Sequence, residues 1–274
     1  MFGKLLKNDL KAQWHSVSTI FLCVFVIGGI AELFVLFSKN STVTILGGIV
    51  VSIAMLFACL VIVIAVAMLF AKTTFGRAGY LTLTLPVKTS SLIWSKTLSG
   101  LIWTYSIYIL FFGSFLLWIY QVGELMGGDF QDLADQLFTL LLGKSIQTMI
   151  STAVYYLVWF AIAMFTVVQC LYLGITCSNV SPFSKIGIPG AVVVFFGSFA
   201  VIVAITSLIT NALPFGMVVD DRIVTVTSNV SETRLSMGIR ANGFIFSGPL
   251  AMLVLSALLN FPITYLTKNK VNIK

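Results

Sequence analysis

Charged side chains are scarce in this sequence. Of its 274 residues, 9% are charged and 59% are hydrophobic, whereas a soluble domain has about 25% charged and about 45–50% apolar residues. A chain with so few charges cannot cover a water-facing surface, and its 23 Phe and 5 Trp residues exclude a disordered chain. The composition therefore predicts an integral membrane protein.

Residues that build reactive or metal-binding sites are also few. The chain has 1 His, 9 acidic residues and 4 Cys. Because the cysteines lie in or beside apolar runs without a C-x-x-C pair, we expect packing residues and neither a disulfide framework nor a zinc site. They are Cys23, Cys59, Cys170 and Cys177. With no nucleotide-binding motif and no nucleophile paired with a base, we predict no catalytic residue, no metal site and no enzymatic activity in this chain.

Six apolar segments are long enough to cross a bilayer as helices, which takes about 20 predominantly apolar residues. They are Val17–Phe37, Val43–Ala71, Leu98–Tyr120, Met149–Ile175, Ile188–Thr210 and Phe244–Leu266. We therefore predict an all-α integral membrane protein with one transmembrane domain over residues 1–274. An even number of spans leaves both termini on the same side.

The basic residues are distributed unequally between the two sides. The segments on the side of the termini carry eleven basic residues and a single acid, Asp9. The basic residues are Lys4, Lys7, Lys11, Lys72, Arg77, Lys88, Lys96, Lys185, Lys268, Lys270 and Lys274. The other side has eight acids and only five basic residues: Lys39, Lys144, Arg222, Arg234 and Arg240. The positive-inside rule then predicts that both termini are cytoplasmic. This topology explains the net charge of +7 without a nucleic-acid partner.

Residues 1–16 have the pattern of an amphipathic helix. Apolar residues follow helical spacing at Phe2, Leu5, Leu6, Leu10 and Trp14, and the opposite face carries Lys4, Lys7, Asn8 and Lys11. We expect this helix to lie in the cytoplasmic headgroup plane, with Trp14 at the interface and the lysines near anionic lipid. It serves either as a membrane anchor or as a platform for a cytosolic partner.

The cytoplasmic segment 72–97 joins the second and third spans. Leucines alternate with threonines up to Leu85, and Pro86 ends any regular element there. Thr89 or Ser90 can then cap a short helix whose apolar face carries Leu92, Ile93 and Trp94 and which is flanked by Lys88 and Lys96. Such a helix can dock into a groove on a partner, or it can simply turn the chain.

Two longer connections lie on the outer side. Residues 121–148 contain the start of a short amphipathic helix at Asp129, and residues 211–243 form the last outer segment. In the latter, the alternating run that begins at Arg222 predicts a strand, with Arg234–Ile239 as a candidate hairpin partner. Asp220 and Asp221 fit a turn, or a site for a cation or a basic substrate.

The predicted span interiors contain almost no ionisable groups. A transporter driven by an ion gradient usually carries charged residues within its spans, because its proton or sodium site is built from them. The energy source therefore lies outside this chain, or the protein is passive.

Residues Gly79–Lys96, GYLTLTLPVKTSSLIWSK, resemble the permease subunits of bacterial type-2 ATP-binding cassette (ABC) exporters. In that family, leucines and threonines precede Leu-Pro-Val, a coupling helix follows, and a lysine opens the next span. The residues Arg77-Ala78-Gly79 depart from the acid and glycine that many members carry before the leucines. The order of the predicted elements also resembles the family over almost the whole chain.

The resemblance implies a multi-pass protein of the bacterial cell membrane that pairs with a second permease, identical or homologous. Two separate cytosolic ABC ATPase subunits would bind ATP and Mg²⁺, and this chain would hold no cofactor. The expected coupling residues are Leu85, Pro86, Lys88, Leu92, Ile93, Trp94 and Lys96, with Leu92, Ile93 and Trp94 in the ATPase groove and both lysines meeting acids at its rim.

Few charges in the spans favour a hydrophobic or amphipathic cargo, such as a peptide, lipid or drug. The function that we predict is ATP-driven export of such a substrate, with peptide export preferred. The alternatives are a gradient-driven transporter, a passive transporter or channel, a membrane scaffold without transport, and a membrane enzyme that uses Asp220, Asp221 or Glu232.

Overall fold

The computed structural model describes residues 2–37, 41–76, 88–126, 146–180, 187–219, 224–230, 232–233 and 242–269. Within these residues the helices are α1 (Phe2–Phe37), α2 (Ser41–Thr74), α3 (Thr89–Met126), α4 (Ile146–Ser178), α5 (Ile188–Ala212), α6 (Ser247–Leu258) and α7 (Asn260–Asn269). Three short strands, β1 (Gly216–Val219), β2 (Val224–Thr227) and β3 (Asn242–Ile245), lie between α5 and α6.

Five helices in the described part of the chain are long and apolar enough to cross a membrane. They cover Leu46–Thr74, Thr89–Ser114, Ile150–Ser178, Ile188–Ala212 and Ser247–Lys268. The pair Phe2–Trp14 and Val17–Ile30, bent by 49°, raises the number to six if it counts as one span. Each of these overlaps one of the six predicted segments, which agrees with the prediction of a helical membrane protein.

The chain forms two compact units. Unit 1 comprises Met1–Leu6, Ala67–Leu101 and Leu142–Lys274, and unit 2 comprises Lys7–Val66 and Ile102–Leu141. The sequence had predicted one transmembrane domain, with separate short segments outside the spans. The boundaries of the units fall inside α1, α2 and α3, so each of these helices contributes to both units, and the single transmembrane domain stays a prediction.

Helix α4 is the central element of unit 1 and contacts α5, α6, α7 and β3. Its residues Ile162 and Cys170 form a buried apolar cluster with Ile202 of α5 and Met252 of α6. Gly174 allows α4 and α5 to approach closely, because a Cβ built on this glycine would lie 2.5 Å from the Ala191 carbonyl oxygen. Apolar contact along α4 therefore organises the described helices of this unit.

Large apolar side chains remain exposed along α2 and α5. On α2 they recur at helical spacing, for example at Ile53, Phe57, Leu60 and Ile64, and on α5 Val193 is 71% exposed. A continuous apolar face of this kind on a helix of spanning length is typical of contact with lipid.

The last span contains a break. Helix α6 ends at Leu258 and α7 begins at Asn260. Pro262 lies in the first turn of α7, and a proline has no backbone N–H to donate to the carbonyl four residues earlier. The break at Leu259 therefore falls where the helical hydrogen-bond ladder is interrupted.

The segment between α5 and α6 carries a three-stranded antiparallel sheet of order β2-β1-β3. Met217 of β1 is opposite Val226 of β2 on one side and Phe244 of β3 on the other. The predicted strand after Arg222 is present as β2, and its partner here is β1, a strand that the sequence analysis did not identify. The candidate partner Arg234–Ile239 lies outside the described residues.

Candidate functional site

Several predicted residues and segments lie outside the described residues. They are the coupling residues Leu85 and Pro86, the acids Asp220 and Asp221, and the outer helix predicted after Asp129. The other predicted coupling residues are Lys88, directly before α3, and four residues in the first part of α3, and the candidate site is built around them.

The predicted short coupling helix is the first part of α3. No separate helix precedes the third span in the described residues, because α3 runs without a break from Thr89 to Met126. The Lys88 carbonyl oxygen accepts hydrogen bonds from the amides of Ser91, at 2.9 Å, and Leu92, at 3.3 Å. Lys88, and not Thr89 or Ser90, therefore precedes the first helical turn.

The apolar residues of this first part pack within the chain. Leu92 is 5% exposed and Ile93 is completely buried. Trp94 is half-buried and stacks on Phe165 of α4, with ring centroids 6.0 Å apart and an interplanar angle of 15°. Lys88 is exposed. The contact of these residues with an ATPase subunit stays a prediction, and among them it is Lys88 that the structure leaves fully open to a partner.

Lys96 is buried, with 4% of its surface exposed. Its Nζ donates a hydrogen bond to Thr73 Oγ1 near the end of α2, at 2.6 Å. The Thr73 hydroxyl in turn donates to the Leu69 carbonyl oxygen one helical turn earlier, at 2.8 Å. Placing an ammonium group away from water is costly unless it is hydrogen-bonded. Lys96 therefore joins α3 to the end of α2 and does not extend into solvent.

Tyr172 of α4 completes the connection. Its hydroxyl donates to the backbone carbonyl oxygen of Lys96 at 3.1 Å, and the residue is completely buried. Its ring stacks on Phe70 of α2, with centroids 3.8 Å apart and planes 7° from parallel. Phe70 and Thr73 are three residues apart and therefore share a face of α2. The four residues Phe70, Thr73, Lys96 and Tyr172, here called the inner lock, connect three helices.

Sequence reasoning missed Thr73 and Tyr172 as members of this site. One pattern could have indicated the face of α4 that carries Tyr172. Polar residues recur at helical spacing along this otherwise apolar helix, and all four are completely buried: Thr166, Gln169, Tyr172 and Thr176. In a membrane helix, a polar stripe of this kind faces the protein interior.

Two buried amides belong to the same unit. Gln169 of α4 is completely buried and Asn260 of α7 is 5% exposed. Neither side-chain amide has a hydrogen-bond partner among the described residues. An unsatisfied buried amide costs about 1–3 kcal/mol, and no hydrogen bond among the described residues offsets this cost at either position.

The N-terminal part of α1 fits the predicted amphipathic helix. Lys4, Lys7 and Lys11 are exposed. Trp14 is 60% exposed and contacts Trp103 of α3 at a centroid distance of 5.6 Å. The 49° bend follows directly after this tryptophan. A position of this helix in the headgroup plane stays a prediction.

Unit 2 contains an apolar cavity of about 310 Å³ between α1 and α2. Its wall includes Ile20, Val51, Met55 and Val61. Gly28 of α1 also lines it, and a Cβ at this position would lie 3.2 Å from Met55 Cε. The cavity offers shape and apolar contact but almost no polar group to a ligand.

The described residues contain no group of three His, Cys, Asp or Glu side chains that could hold a metal ion. All four cysteines are free; Cys59 and Cys170 are buried as packing residues, whereas Cys23 is exposed. The arrangement at the start of α3 consists of hydrogen bonds and a ring stack that connect α2, α3 and α4. Comparison with known protein families, curated proteins and solved structures finds no match for this chain.

Proposed function

We propose that this chain is the transmembrane permease subunit of an ATP-driven exporter. Separate cytosolic ABC ATPase subunits would supply the energy, and a second permease, identical or homologous, would complete the path. Both termini and residues 77–87 would then face the cytoplasm. The cargo would be a hydrophobic or amphipathic molecule such as a peptide, lipid or drug.

The inner lock is the observation that carries this proposal. In the sequence, residues 77–87 lie between Thr73 of α2 and Lys96 of α3. The side chains of Thr73 and Lys96 are hydrogen-bonded to each other. A force applied to this connection therefore reaches α2 and α3 together. Through Tyr172 it also reaches α4, the central helix of unit 1.

The surface for the ATPase subunit is proposed to include residues 77–87 and the exposed positions Lys88 and Ser90 at the start of α3. Lys88 would meet an acid at the rim of the ATPase groove. Leu92 and Ile93 are buried and would not contact the ATPase subunit. Their role would be to hold the start of α3 in place by packing inside this chain. This division differs from the sequence-based hypothesis, in which the apolar residues themselves entered the groove.

The apolar cavity of unit 2 supports the proposed cargo class. A small ion requires charged or carbonyl ligands, whereas a cavity lined by Ile20, Val51 and Met55 suits an alkyl chain or an apolar side chain. Its volume of about 310 Å³ is at the small end of known ligand sites, about 300–1,000 Å³. Part of an amphipathic molecule would fit within it.

The test is to purify the full chain from its native membrane with its co-purifying proteins and to reconstitute the complex in liposomes. We expect ATPase subunits in the complex and substrate movement that requires ATP. Flux through the chain alone, without ATP, would identify a passive channel. Loss of flux on collapse of a proton or sodium gradient would identify a gradient-driven transporter. Either result would contradict the proposal.

Lys88→Glu tests the docking surface, with Lys268→Glu as the matched control at an exposed lysine of α7. We expect Lys88→Glu to weaken ATPase-subunit binding and the control to leave it unchanged. Ile93→Asp is a poor test, because a charge at this completely buried position would disturb folding whatever the function. Equal binding by both lysine variants would contradict the assigned surface.

A further inference from the structure

Lys96 is the one basic residue for which the structure gives a buried, hydrogen-bonded environment in the described part of unit 1. Its surface is 4% exposed, whereas Lys72 and Lys88, on either side of residues 77–87, are exposed. A buried ammonium group is costly unless it is hydrogen-bonded or paired. A buried lysine is therefore weak evidence for a role in stability alone.

Two atoms of Lys96 form hydrogen bonds to two other helices, α2 and α4. The side-chain Nζ contacts Thr73 of α2 at 2.6 Å, and the backbone carbonyl oxygen accepts from Tyr172 of α4 at 3.1 Å. The stacked pair of Phe70 and Tyr172 then connects α4 back to α2. The contacts form a closed circuit through three helices, so none of the three can slide without breaking one of them.

The hydroxyl of Thr73 has a defined role in this circuit. It donates to the Leu69 carbonyl oxygen at 2.8 Å and so presents a lone pair to the lysine amine. Its neighbour Thr74 is completely buried, and the Thr74 hydroxyl has no hydrogen-bond partner among the described residues. The two adjacent threonines therefore provide a matched pair for experiment.

We propose that Lys96 is a positioning residue for energy coupling: through Thr73 and Tyr172 it holds the end of α2 and the start of α3 in register with α4, so that a displacement of the start of α3 is transmitted to α4. This inference rests on the proposed function, because it names the residue through which the work of the ATPase subunits enters the bundle. Lys96 contacts neither substrate nor nucleotide in this role.

The experiment compares variants of the full chain in complex with its ATPase subunits in liposomes. Lys96→Met keeps the length of the side chain and removes the donor, and replacement of a buried charge by an apolar residue is often tolerated. Thr73→Val removes the hydroxyl that accepts from Lys96, together with the hydrogen bond that this hydroxyl donates to the Leu69 carbonyl oxygen. Lys72→Met and Thr74→Val are the controls. The measured quantity is the substrate moved per ATP hydrolysed.

We expect Lys96→Met and Thr73→Val each to lower this ratio about tenfold, the size of effect that loss of a hydrogen bond to a charged group gives. The double variant should be no worse than either single variant, because both remove the same interaction. The control variants should keep the ratio of the unmodified chain. If Lys96→Met does not fold, Thr73→Val alone decides the question.

An unchanged ratio in the folded variants would overturn the inference and leave the proposed function standing. A proportional loss of transport and ATP hydrolysis, together with lower thermal stability, would also overturn it, since that result indicates a purely structural role. If the unmodified complex shows no ATP-dependent transport, the proposed function fails and the coupling role fails with it.

A second measurement does not depend on transport. Spin labels at Lys72→Cys and Ser90→Cys, both exposed positions, report the distance between the end of α2 and the start of α3 after the four native cysteines are replaced by alanine. We expect one narrow distance distribution that broadens in Lys96→Met and stays narrow in Thr74→Val. An unchanged distribution in Lys96→Met would contradict the positioning role.

Discussion

The hydroxyl of Tyr155 donates a hydrogen bond to the carbonyl oxygen of Ile245, 2.8 Å away. This bond ties strand β3 to the first half of α4. Tyr172, at the inner lock, lies 17 residues further along the same helix, which corresponds to about 25 Å at 1.5 Å per residue. One helix therefore contacts the sheet near one end and the inner lock near the other.

Removing the Tyr155 hydroxyl should loosen the sheet. Tyr155→Phe keeps the ring, which packs against Phe244 at a centroid distance of 5.0 Å, and loses the hydrogen bond. We expect the free energy of unfolding to fall by about 1 kcal/mol, measured by thermal unfolding in detergent. Tyr156→Phe, at a neighbouring residue that is 39% exposed, should have little effect. Equal stability of the two variants would contradict the assigned role of the bond.

The close approach of α4 and α5 predicts opposite effects for two glycine substitutions. Gly174→Ala should destabilise the protein, because its Cβ would lie 2.5 Å from the carbonyl oxygen of Ala191 and force the helices apart. Gly197→Ala has no atom within 4 Å of its new Cβ and should be neutral or stabilising by up to about 1 kcal/mol, the difference in helix propensity. Thermal unfolding of the two variants side by side measures both effects, and a stabilising Gly174→Ala would contradict the described packing.

The buried amide of Gln169 should not contribute to stability. Neither of its polar side-chain atoms has a hydrogen-bond partner among the described residues. Gln169→Leu therefore replaces an unsatisfied amide with an apolar side chain of similar size. We expect an unchanged or higher unfolding temperature. A fall of several degrees would indicate that the amide is hydrogen-bonded in the membrane and would contradict this assignment.

The amphipathic start of α1 should lie at the lipid surface. Spin labels introduced singly at Lys7→Cys and Leu10→Cys, in a cysteine-free chain in lipid nanodiscs, report accessibility to a water-soluble nickel complex and to oxygen. We expect the label at residue 7 to favour the nickel complex and the label at residue 10 to favour oxygen, because the two positions belong to opposite faces of the amphipathic helix. Equal access to the nickel complex at both positions would place this helix in water.

Much of the fold could be predicted because length and apolarity are local properties of a segment. The segment Ile188–Thr210 was predicted from its composition, and the helix runs from Ile188 to Ala212. The start of α3 was harder, since Pro86 and the polar residues after it suggested a short helix separate from the span. No proline or glycine occurs between Lys88 and Ser99, and the helix continues through this stretch.

The sheet illustrates the limit of pattern reasoning. The alternation of residues after Arg222 indicates a strand, and β2 is present there. Its neighbour β1 has the sequence Gly-Met-Val-Val, which does not alternate between apolar and polar residues and so gives no strand signal of this kind. Both β2 and β3 pair with β1, and which segments pair depends on the tertiary course of the chain and not on the sequence of a single strand.

What the sequence determined by itself is the helical class of the protein: the scarcity of charge and the length of the apolar runs predict helices that could cross a membrane, and the described residues contain five of them, or six if the bent pair in α1 counts as one span. Only the tertiary structure showed that the side chain of Lys96 is buried. Its flanking position in the sequence suggested an exposed contact with a partner, yet its hydrogen-bond partners Thr73 and Tyr172 are 23 and 76 residues away. Burial of a single side chain depends on which distant helices pack against it, and no local pattern contains that information.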